Sequence, residues 1–184
     1  RALNERASRD ARILVVGNPC NTNAFIAMRN APDLAPECFS AMMRLDQNRA
    51  TARLAEHLGL PVSGIEQVIV WGNHSNSMYP DIRFARYRGK RVDNQLDPQW
   101  QNEFIQNVAT RGGQIIKARG ASSAASAASA ALDHMRDWIL GSEGRCCTMA
   151  VPSDGSYGIP RGLMFGFPCF CPGEGRYQII SNMP

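Results

Sequence analysis

The 184-residue chain lacks any apolar run of the roughly 18–20 residues that a membrane-spanning helix needs. It also lacks a C-x-x-C pair, and its six cysteines have neither the spacing nor the neighbouring histidines of a zinc site. Only 20% of the residues are charged and 44% are hydrophobic, which excludes disordered and collagen-like chains. The sequence therefore predicts no membrane association, no metal, reduced thiols and a cytoplasmic location.

The chain also lacks a concentrated basic stripe. Its net charge is +4, but the basic residues are scattered and are not interleaved with aromatic residues on any predicted element. We therefore expect no nucleic-acid partner. The mild positive charge favours instead the attraction of a small anionic ligand.

The first 44 residues alternate between predicted strands and helices. The continuous apolar run 13–16 ends at Gly17 and indicates a strand buried on both faces, as in a parallel sheet. A polar loop then leads to a predicted helix at 24–29, capped by Thr22 or Asn23, and 39–43 reads as another strand. This order is typical of an α/β sheet.

The remaining residues predict a mixed α+β unit. Helices are expected at 46–58, from Asp97-Pro98 onwards with a break or bend at Gly112-Gly113, and at 122–140. A hairpin is expected around 88–90, and further strands at 68–71, 147–151, 163–169 and 176–180, with a turn at Pro172-Gly173. The predicted fold class is thus α/β plus α+β, with residues 1–44 ending a parallel sheet and residues 45–184 forming the second domain.

The predicted helix 122–140 has an apolar face, which consists of Leu132, Met135, Trp138 and Ile139. His57 and His134 also lie in predicted helices and read as ordinary surface residues.

Asn18 follows the predicted strand 13–16. In open α/β sheets, ligands bind at the carboxyl ends of strands, and an Asn side chain there offers both a donor and an acceptor. The competing interpretation of Asn18-Pro19 is an ordinary turn, and the residues alone favour that interpretation.

Asp46 and Arg49 lie at the start of the predicted helix 46–58. Asp46 suits a helix N-cap, whereas a cation such as Arg49 is disfavoured in a first helical turn by the macrodipole. A guanidinium three residues after a carboxylate can project from the same side of the turn and grip a ligand carboxylate with two hydrogen bonds. The alternative is an intrahelical pair worth under about 1 kcal/mol.

His74 comes just after the predicted strand 68–71. A loop histidine is most often a polar surface residue, but histidine is also the side chain best suited to exchange a proton near neutral pH. If Asp46 lies beside it, the carboxylate would fix the imidazole tautomer and stabilise the imidazolium.

Five segments of the sequence resemble, in order, those of the lactate/malate dehydrogenase family. They are VVGNPCNTN (15–23), RLDQNRA (44–50), WGNHS (71–75), IIKARGASSAASAA (115–128) and MAVPSDGSYGIP (149–160). The likeness is greatest to the malate dehydrogenases of the cytosolic type and their bacterial relatives. It implies the last strands of a Rossmann-type parallel sheet followed by an α+β catalytic domain.

The resemblance also implies roles for individual residues. His74 matches the catalytic histidine that accepts a proton from the 2-hydroxyl of malate, and Asp46 matches its carboxylate partner. Arg49 matches the arginine that binds the substrate carboxylate, and Asn18 matches an asparagine that contacts substrate and nicotinamide. Ser123, or Ser122, matches a small polar position near the site.

The cofactor side of the resemblance is partial. Val16 and Gly17, with Asn18, match positions that line the cofactor, and the bond before Pro19 is expected to be cis. No G-x-x-G-x-x-G turn is present. Gln47 stands where the family usually has His. The family's mobile loop and its final helix are also unmatched, so we expect an inactive fragment of a longer enzyme.

The function implied is reversible oxidation of (S)-malate to oxaloacetate with NAD, or NADP, as cofactor, in a homodimer. The alternatives are a lactate or other 2-hydroxy-acid dehydrogenase, which the residue in the unmatched mobile loop would distinguish, and a non-catalytic protein of the same fold.

Overall fold

A five-stranded mixed sheet forms the centre of the fold in the computed structural model, which describes residues 1–92, 96–181 and 183. The helices are α1 (Ala2–Arg6), α2 (Cys20–Arg29), α3 (Arg44–Leu58), α4 (Pro98–Arg119) and α5 (Ala125–Leu140). The strands are β1 (Ile13–Val15), β2 (Phe39–Ala41), β3 (Ile65–Glu66), β4 (Ile69–Trp71), β5 (Tyr79–Asp81), β6 (Arg86–Tyr87), β7 (Lys90–Arg91), β8 (Cys147–Pro152), β9 (Met164–Gly173) and β10 (Arg176–Ile179). Among the described helices, none combines the length and apolar character required to cross a bilayer.

The central sheet has the order β1-β2-β8-β9-β10, and two smaller sheets flank it, β3-β6-β7 and β4-β5. Among the strands that the structure describes, only the β1–β2 pair is parallel. Strand β2 joins β8 through the antiparallel pair Ala41 and Ala150, so the sheet crosses the domain boundary predicted at 44/45. That boundary itself stays a prediction.

A close approach of two backbones fixes the loop after β4 to the central sheet. Gly72 and Gly166 exchange backbone hydrogen bonds of 3.2 and 2.7 Å. A Cβ on Gly166 would lie 2.5 Å from Met43 Sδ and 3.0 Å from Gly72 O, which is closer than atoms tolerate. Glycine at 166 therefore lets the loop after β4 and the residue before α3 meet at the same point.

Two hydrophobic clusters lie on opposite sides of the fold. One packs α2, α3 and α4 with β2 and β4, and contains Phe39, Leu54 and Phe104 at 0% or 1% exposure. The other lies beneath α5 on β8 and β9, around the fully buried Trp138 and Phe167. Side chains of this size contribute about 1.5–3 kcal/mol each on burial, so both clusters stabilise the frame that carries the loops.

Several predicted element bounds are wrong. Helix α2 begins at Cys20 rather than at Ala24, so Thr22 and Asn23 lie inside it, and α3 begins two residues before Asp46. Strand β1 is only half-buried because it lies at the end of the strand order. Strand β9 continues to Gly173, and the turn falls at 174–175, where both residues have positive φ.

The predicted break at Gly112-Gly113 is also wrong, because α4 is continuous from Pro98 to Arg119. Glycine costs roughly 1 kcal/mol per residue in a helix, but packing outweighs that preference here. The ideal Cβ position of Gly112 lies 3.8 Å from a guanidinium nitrogen of Arg49 on α3. That distance is an ordinary van der Waals contact, so an alanine at 112 would also leave room for Arg49 beside the α4 backbone.

The buried face of α5 differs from the predicted one. Leu132 is 72% exposed and Ile139 is 41% exposed, whereas the buried residues are Ala130, His134, Asp137 and Trp138. The prediction that His134 is a surface residue is therefore wrong. Asp137 is accommodated because the buried Arg44 forms an ion pair with it, a partner that lies 93 positions away along the chain.

His134 is buried in an apolar environment with no hydrogen-bond partner at either ring nitrogen, and it packs edge-on against Trp138. Burial, together with the charge of Arg44, lowers the pKa of His134 from 6.5 to about 3. Below pH 6.5 the unfolded chain takes up a proton at this residue that the folded chain does not take up. The folded state therefore loses stability as pH falls from about 6.5 towards 3.

Replacing His134 with Phe should remove this acid sensitivity and keep the ring against Trp138. Between pH 7 and pH 5 the wild type should lose about 2 kcal/mol more of its unfolding free energy than His134→Phe. Urea denaturation at the two pH values measures the difference. An identical pH dependence in the two proteins would show that His134 is protonated in the folded state.

Candidate functional site

A cavity of about 330 Å³ opens where the loops after β1 and β4 meet the first turn of α3 and the middle of α4. Its wall contains six of the seven site residues predicted from the sequence, together with the alternative Ser122, and the six are Val16, Asn18, Asp46, Arg49, His74 and Ser123. Apolar side chains, including Met42, Leu45 and Ile116, form much of the remaining wall. Residues that are far apart along the chain are thus brought together around one small space.

His74 and Asp46 form a direct contact at the bottom of this site. Nδ1 of His74 lies 2.5 Å from Oδ2 of Asp46, whose side chain is 1% exposed. Asp46 is not an N-cap. It lies in the first turn of α3, where the helix N-terminus stabilises a negative charge. The carboxylate orients the imidazole so that Nε2 is the nitrogen left for a reacting group.

The charge on His74 depends on this contact. The hydrogen bond to Asp46 raises the pKa of His74 above 6.5, while burial opposes the shift, the Asp46 charge adds to it and the Arg49 charge reduces it. The imidazole is therefore a stronger base than a free histidine, and it can take up a proton at neutral pH.

Arg49 lies one helical turn after Asp46 and faces the same cavity. Its Nη1 is 3.9 Å from Asp46 Oδ1, and its Nη2 donates a 3.3 Å hydrogen bond to Ser123 Oγ. Burial lowers the pKa of Arg49 below its usual range, with the charge of Asp46 opposing the shift and the charge of Arg111 adding to it. A half-buried guanidinium with only a distant carboxylate partner is suited to bind an anionic ligand.

Asn21 positions His74, and sequence reasoning missed it. Its Oδ1 accepts a 3.0 Å hydrogen bond from the His74 backbone N–H, and its Nδ2 donates to Met164 O at 3.1 Å and Gly72 O at 3.4 Å. The only sequence signal for Asn21 was that it is polar, and the sequence analysis placed it in the polar loop NPCNTN (18–23) rather than in a helix. Because Asn21 lies in the first turn of α2, its buried amide ties this helix to the His74 loop and to β9.

Gln47 has a structural role beside the catalytic candidates. Its Nε2 donates to Val68 O at 2.9 Å, and its Oε1 accepts from Thr148 N at 2.9 Å. The amide thus joins α3 to the residue before β4 and to β8. The position where the resembled family usually has His is filled by a side chain that fixes the helix carrying Asp46.

The loop after β1 lies at the mouth of the cavity. The Asn18–Pro19 bond is cis, as the resemblance implies, and Asn18 is exposed beside Val16. Gly17 is not part of the cavity wall, and the space around its missing Cβ is open. Asn23 holds the loop in place by donating a 2.9 Å hydrogen bond to Gly17 O.

Within the described residues, no group of three or more His, Cys, Asp or Glu side chains is placed to hold a metal ion. Cys147 and Cys171 bring their sulfur atoms within 3.6 Å in the core beneath α5. Neither belongs to the cavity wall, so the titratable groups of the site are those of the Asp46, Arg49 and His74 cluster.

Comparison with known proteins gives one family match and several similar structures. The family model for the lactate/malate dehydrogenase α/β C-terminal domain matches residues 43–184. The chain is 49% identical to the malate dehydrogenase of Naegleria fowleri, with a TM-score of 0.93. The alignment covers 100% of this chain and 56% of the Naegleria chain. This chain is also 38% identical to the Trichomonas vaginalis lactate dehydrogenase in complex with NADH and oxamate, with a TM-score of 0.94. That alignment covers 99% of this chain and 57% of the Trichomonas chain. The chain thus spans little more than half the length of these similar structures.

Replacing Asp46 with Asn should lower the pKa of His74 below 6.5, because burial and the charge of Arg49 then act without the carboxylate. NMR titration of the imidazole C–H signals in the 184-residue chain measures this directly. The matched variant Arg49→Gln should move the same pKa upwards. An unchanged His74 pKa in Asp46→Asn would show that the two side chains do not interact in solution.

Replacing Asn21 with Ala should leave buried backbone groups of His74 and Met164 without partners. We expect a loss of about 1–3 kcal/mol in unfolding free energy, measured by urea denaturation. The matched control is Asn23→Ala on the same helix, which removes one exposed hydrogen bond and should cost less than about 1 kcal/mol. Equal losses in the two variants would contradict the role assigned to Asn21.

Proposed function

The chain belongs to the lactate/malate dehydrogenase family, and we propose that it carries the proton-transfer and carboxylate-binding residues of a malate dehydrogenase. The observation that carries the proposal is the 2.5 Å contact between His74 Nδ1 and the buried Asp46 carboxylate, beside the guanidinium of Arg49. The reaction proposed is the reversible oxidation of (S)-malate to oxaloacetate.

His74 acts as the general base in the oxidation direction. Its Nε2 accepts the proton of the substrate 2-hydroxyl, and Asp46, which accepts the Nδ1–H hydrogen bond, stabilises the imidazolium that forms. In the reduction direction the imidazolium returns the proton to the carbonyl oxygen. The raised pKa of His74 therefore favours the protonated form required for reduction, and oxidation weakens as pH falls through that pKa.

Arg49 binds the substrate carboxylate that adjoins the reacting carbon. Its planar guanidinium can form two parallel hydrogen bonds with a carboxylate, which fixes both position and orientation. The bond from Arg49 to Ser123 Oγ keeps the guanidinium in the cavity. Asn18, at the opposite side of the mouth, offers an amide donor to the substrate oxygen and an acceptor for the cofactor.

The residues at the mouth fit the nicotinamide end of a dinucleotide. Asn18 and the exposed side chain of Val16 border the cavity, and the open space at Gly17 lets a flat ring approach the backbone. A nicotinamide held there would supply the acceptor for the hydride that leaves the hydroxyl-bearing carbon. The similar Trichomonas lactate dehydrogenase is in complex with NADH, which supports NAD as the proposed cofactor, and NADP has the same reactive ring.

A lactate dehydrogenase is the second candidate, supported by the 38% identity to the Trichomonas enzyme. Malate is favoured because the identity to the Naegleria malate dehydrogenase is higher, at 49%.

For quaternary structure we propose a homodimer in the whole protein, since Leu132, Ile139 and Leu140 form an exposed apolar patch along α5. The six free cysteines, five of them buried, are consistent with a proposed cytoplasmic location.

Replacing His74 with Asn in the whole protein should lower kcat for malate-dependent reduction of NAD or NADP by about 10²–10⁴-fold, because the general base is lost. Absorbance of the reduced nicotinamide measures the rate, and lactate in place of malate distinguishes the two candidate substrates. The control is His57→Asn near the end of α3, where the exposed ring stacks on Trp100 and does not line the cavity, and this variant should retain full activity. The proposal is wrong if His74→Asn keeps wild-type turnover, or if the wild-type whole protein oxidises neither acid.

A further inference from the structure

A second and larger cavity lies between α3 and α4, as a groove of about 630 Å³. Its polar wall consists of Arg49, Arg53 and Glu56 from α3 and Asn107, Arg111 and Gln114 from α4. Ala52 and Val108 complete it with apolar surface. The groove thus combines three guanidinium groups with only one carboxylate.

The single carboxylate does not neutralise the groove. Glu56 Oε2 lies 2.8 Å from Arg53 Nη1, so this acid is already paired. Within the described residues, no carboxylate forms an ion pair with Arg111, whose Nη1 instead donates a 3.4 Å hydrogen bond to Gln114 Oε1. The charge of Arg111 also contributes to the lowered pKa of Arg49, which shows that the two guanidiniums act on each other. An anion placed between them would relieve this repulsion.

Arg49 is shared by the groove and the smaller cavity. On α4, residues 109, 112 and 113 border the smaller cavity, whereas 107, 111 and 114 border the groove. With 3.6 residues per turn, these two sets occupy different faces of the helix. The Arg49 guanidinium passes α4 at Gly112, and it is therefore within reach of both spaces.

We propose that the groove between α3 and α4 is a second anion-binding site, which takes a small polyanion bearing phosphate groups or several carboxylates. Arg111 and Arg53 bind the anion, and Arg49 contacts it from the side opposite to the catalytic cavity. The larger volume of the groove suits a molecule with more than one anionic group. The site itself is independent of the proposed function, but its consequence depends on that function: an occupant competes with the substrate carboxylate for Arg49.

Calorimetric titration of the 184-residue chain with inorganic pyrophosphate, at constant ionic strength, tests the site. Arg111→Gln should weaken pyrophosphate binding at least tenfold, because a charge-assisted bond to the anion is lost. The matched control is Arg119→Gln, on the same helix and with the same charge change but outside the groove. It should bind as the wild type does. A parallel titration with citrate shows whether phosphate or carboxylate groups bind more tightly, and both must depend on Arg111.

Three results would overturn the proposal. If neither pyrophosphate nor citrate binds to the wild-type chain, the site does not exist. If Arg111→Gln and Arg119→Gln lose equal amounts of affinity, the anion responds only to the net charge of the protein. His74→Asn, which alters the smaller cavity alone, should leave pyrophosphate affinity unchanged. A loss in that variant would place the anion in the catalytic cavity and contradict the proposal.

The consequence for catalysis is tested separately in the whole protein. Pyrophosphate should raise the KM for the hydroxy acid, and Arg111→Gln should abolish this effect. If pyrophosphate binds through Arg111 but the whole protein has no dehydrogenase activity, the anion site in the groove is supported and the proposed function is wrong. If pyrophosphate binds through Arg111 but leaves the KM for the hydroxy acid unchanged, the groove anion does not compete with the substrate carboxylate for Arg49.

Discussion

The buried carboxylate of Asp46 is the constraint on which the arrangement of the site depends. A carboxylate that is 1% exposed is costly unless charges and hydrogen-bond donors compensate it. Here the compensation comes from the N-terminus of α3, from His74 at one oxygen, and from Arg49 at 3.9 Å from the other. The same contacts that stabilise Asp46 also give His74 its basicity and place Arg49 at the wall, so the stability of the helix start and the chemistry of the cavity have one origin.

Part of the site could be predicted from local sequence patterns. His74 lies in the loop after the apolar strand β4, as the sequence indicated. The local argument for Arg49 is wrong, because α3 begins at Arg44 and Arg49 therefore lies in its second turn. The five family segments then implied how these residues converge. What could not be predicted was the support provided by Asn21 and Gln47, because their partners Met164 and Thr148 lie 143 and 101 positions away.

The fold was predicted well where local patterns dominate and poorly where tertiary contacts override them. The Asp97-Pro98 start of α4 is confirmed, and the Asp97 side chain accepts hydrogen bonds from Gln99 N and Trp100 N. The glycine pair in the same helix was misread as a break, because the cost of roughly 1 kcal/mol per glycine is outweighed by the packing of α4 in the core. On α5 the buried residues include His134 and Asp137, and a local pattern cannot assign such polar residues to a core, because the ion pair of Asp137 with Arg44 spans 93 positions.

Helix α3 connects α5 to the pair formed by Asp46 and His74. At its first residue, Arg44 is tied to Asp137 on α5, and two residues later Asp46 is tied to His74. The opposite face of α5 carries the exposed side chains of Leu132 and Ile139. The ion pair that anchors α5 and the hydrogen bond that orients the imidazole therefore share one turn of α3.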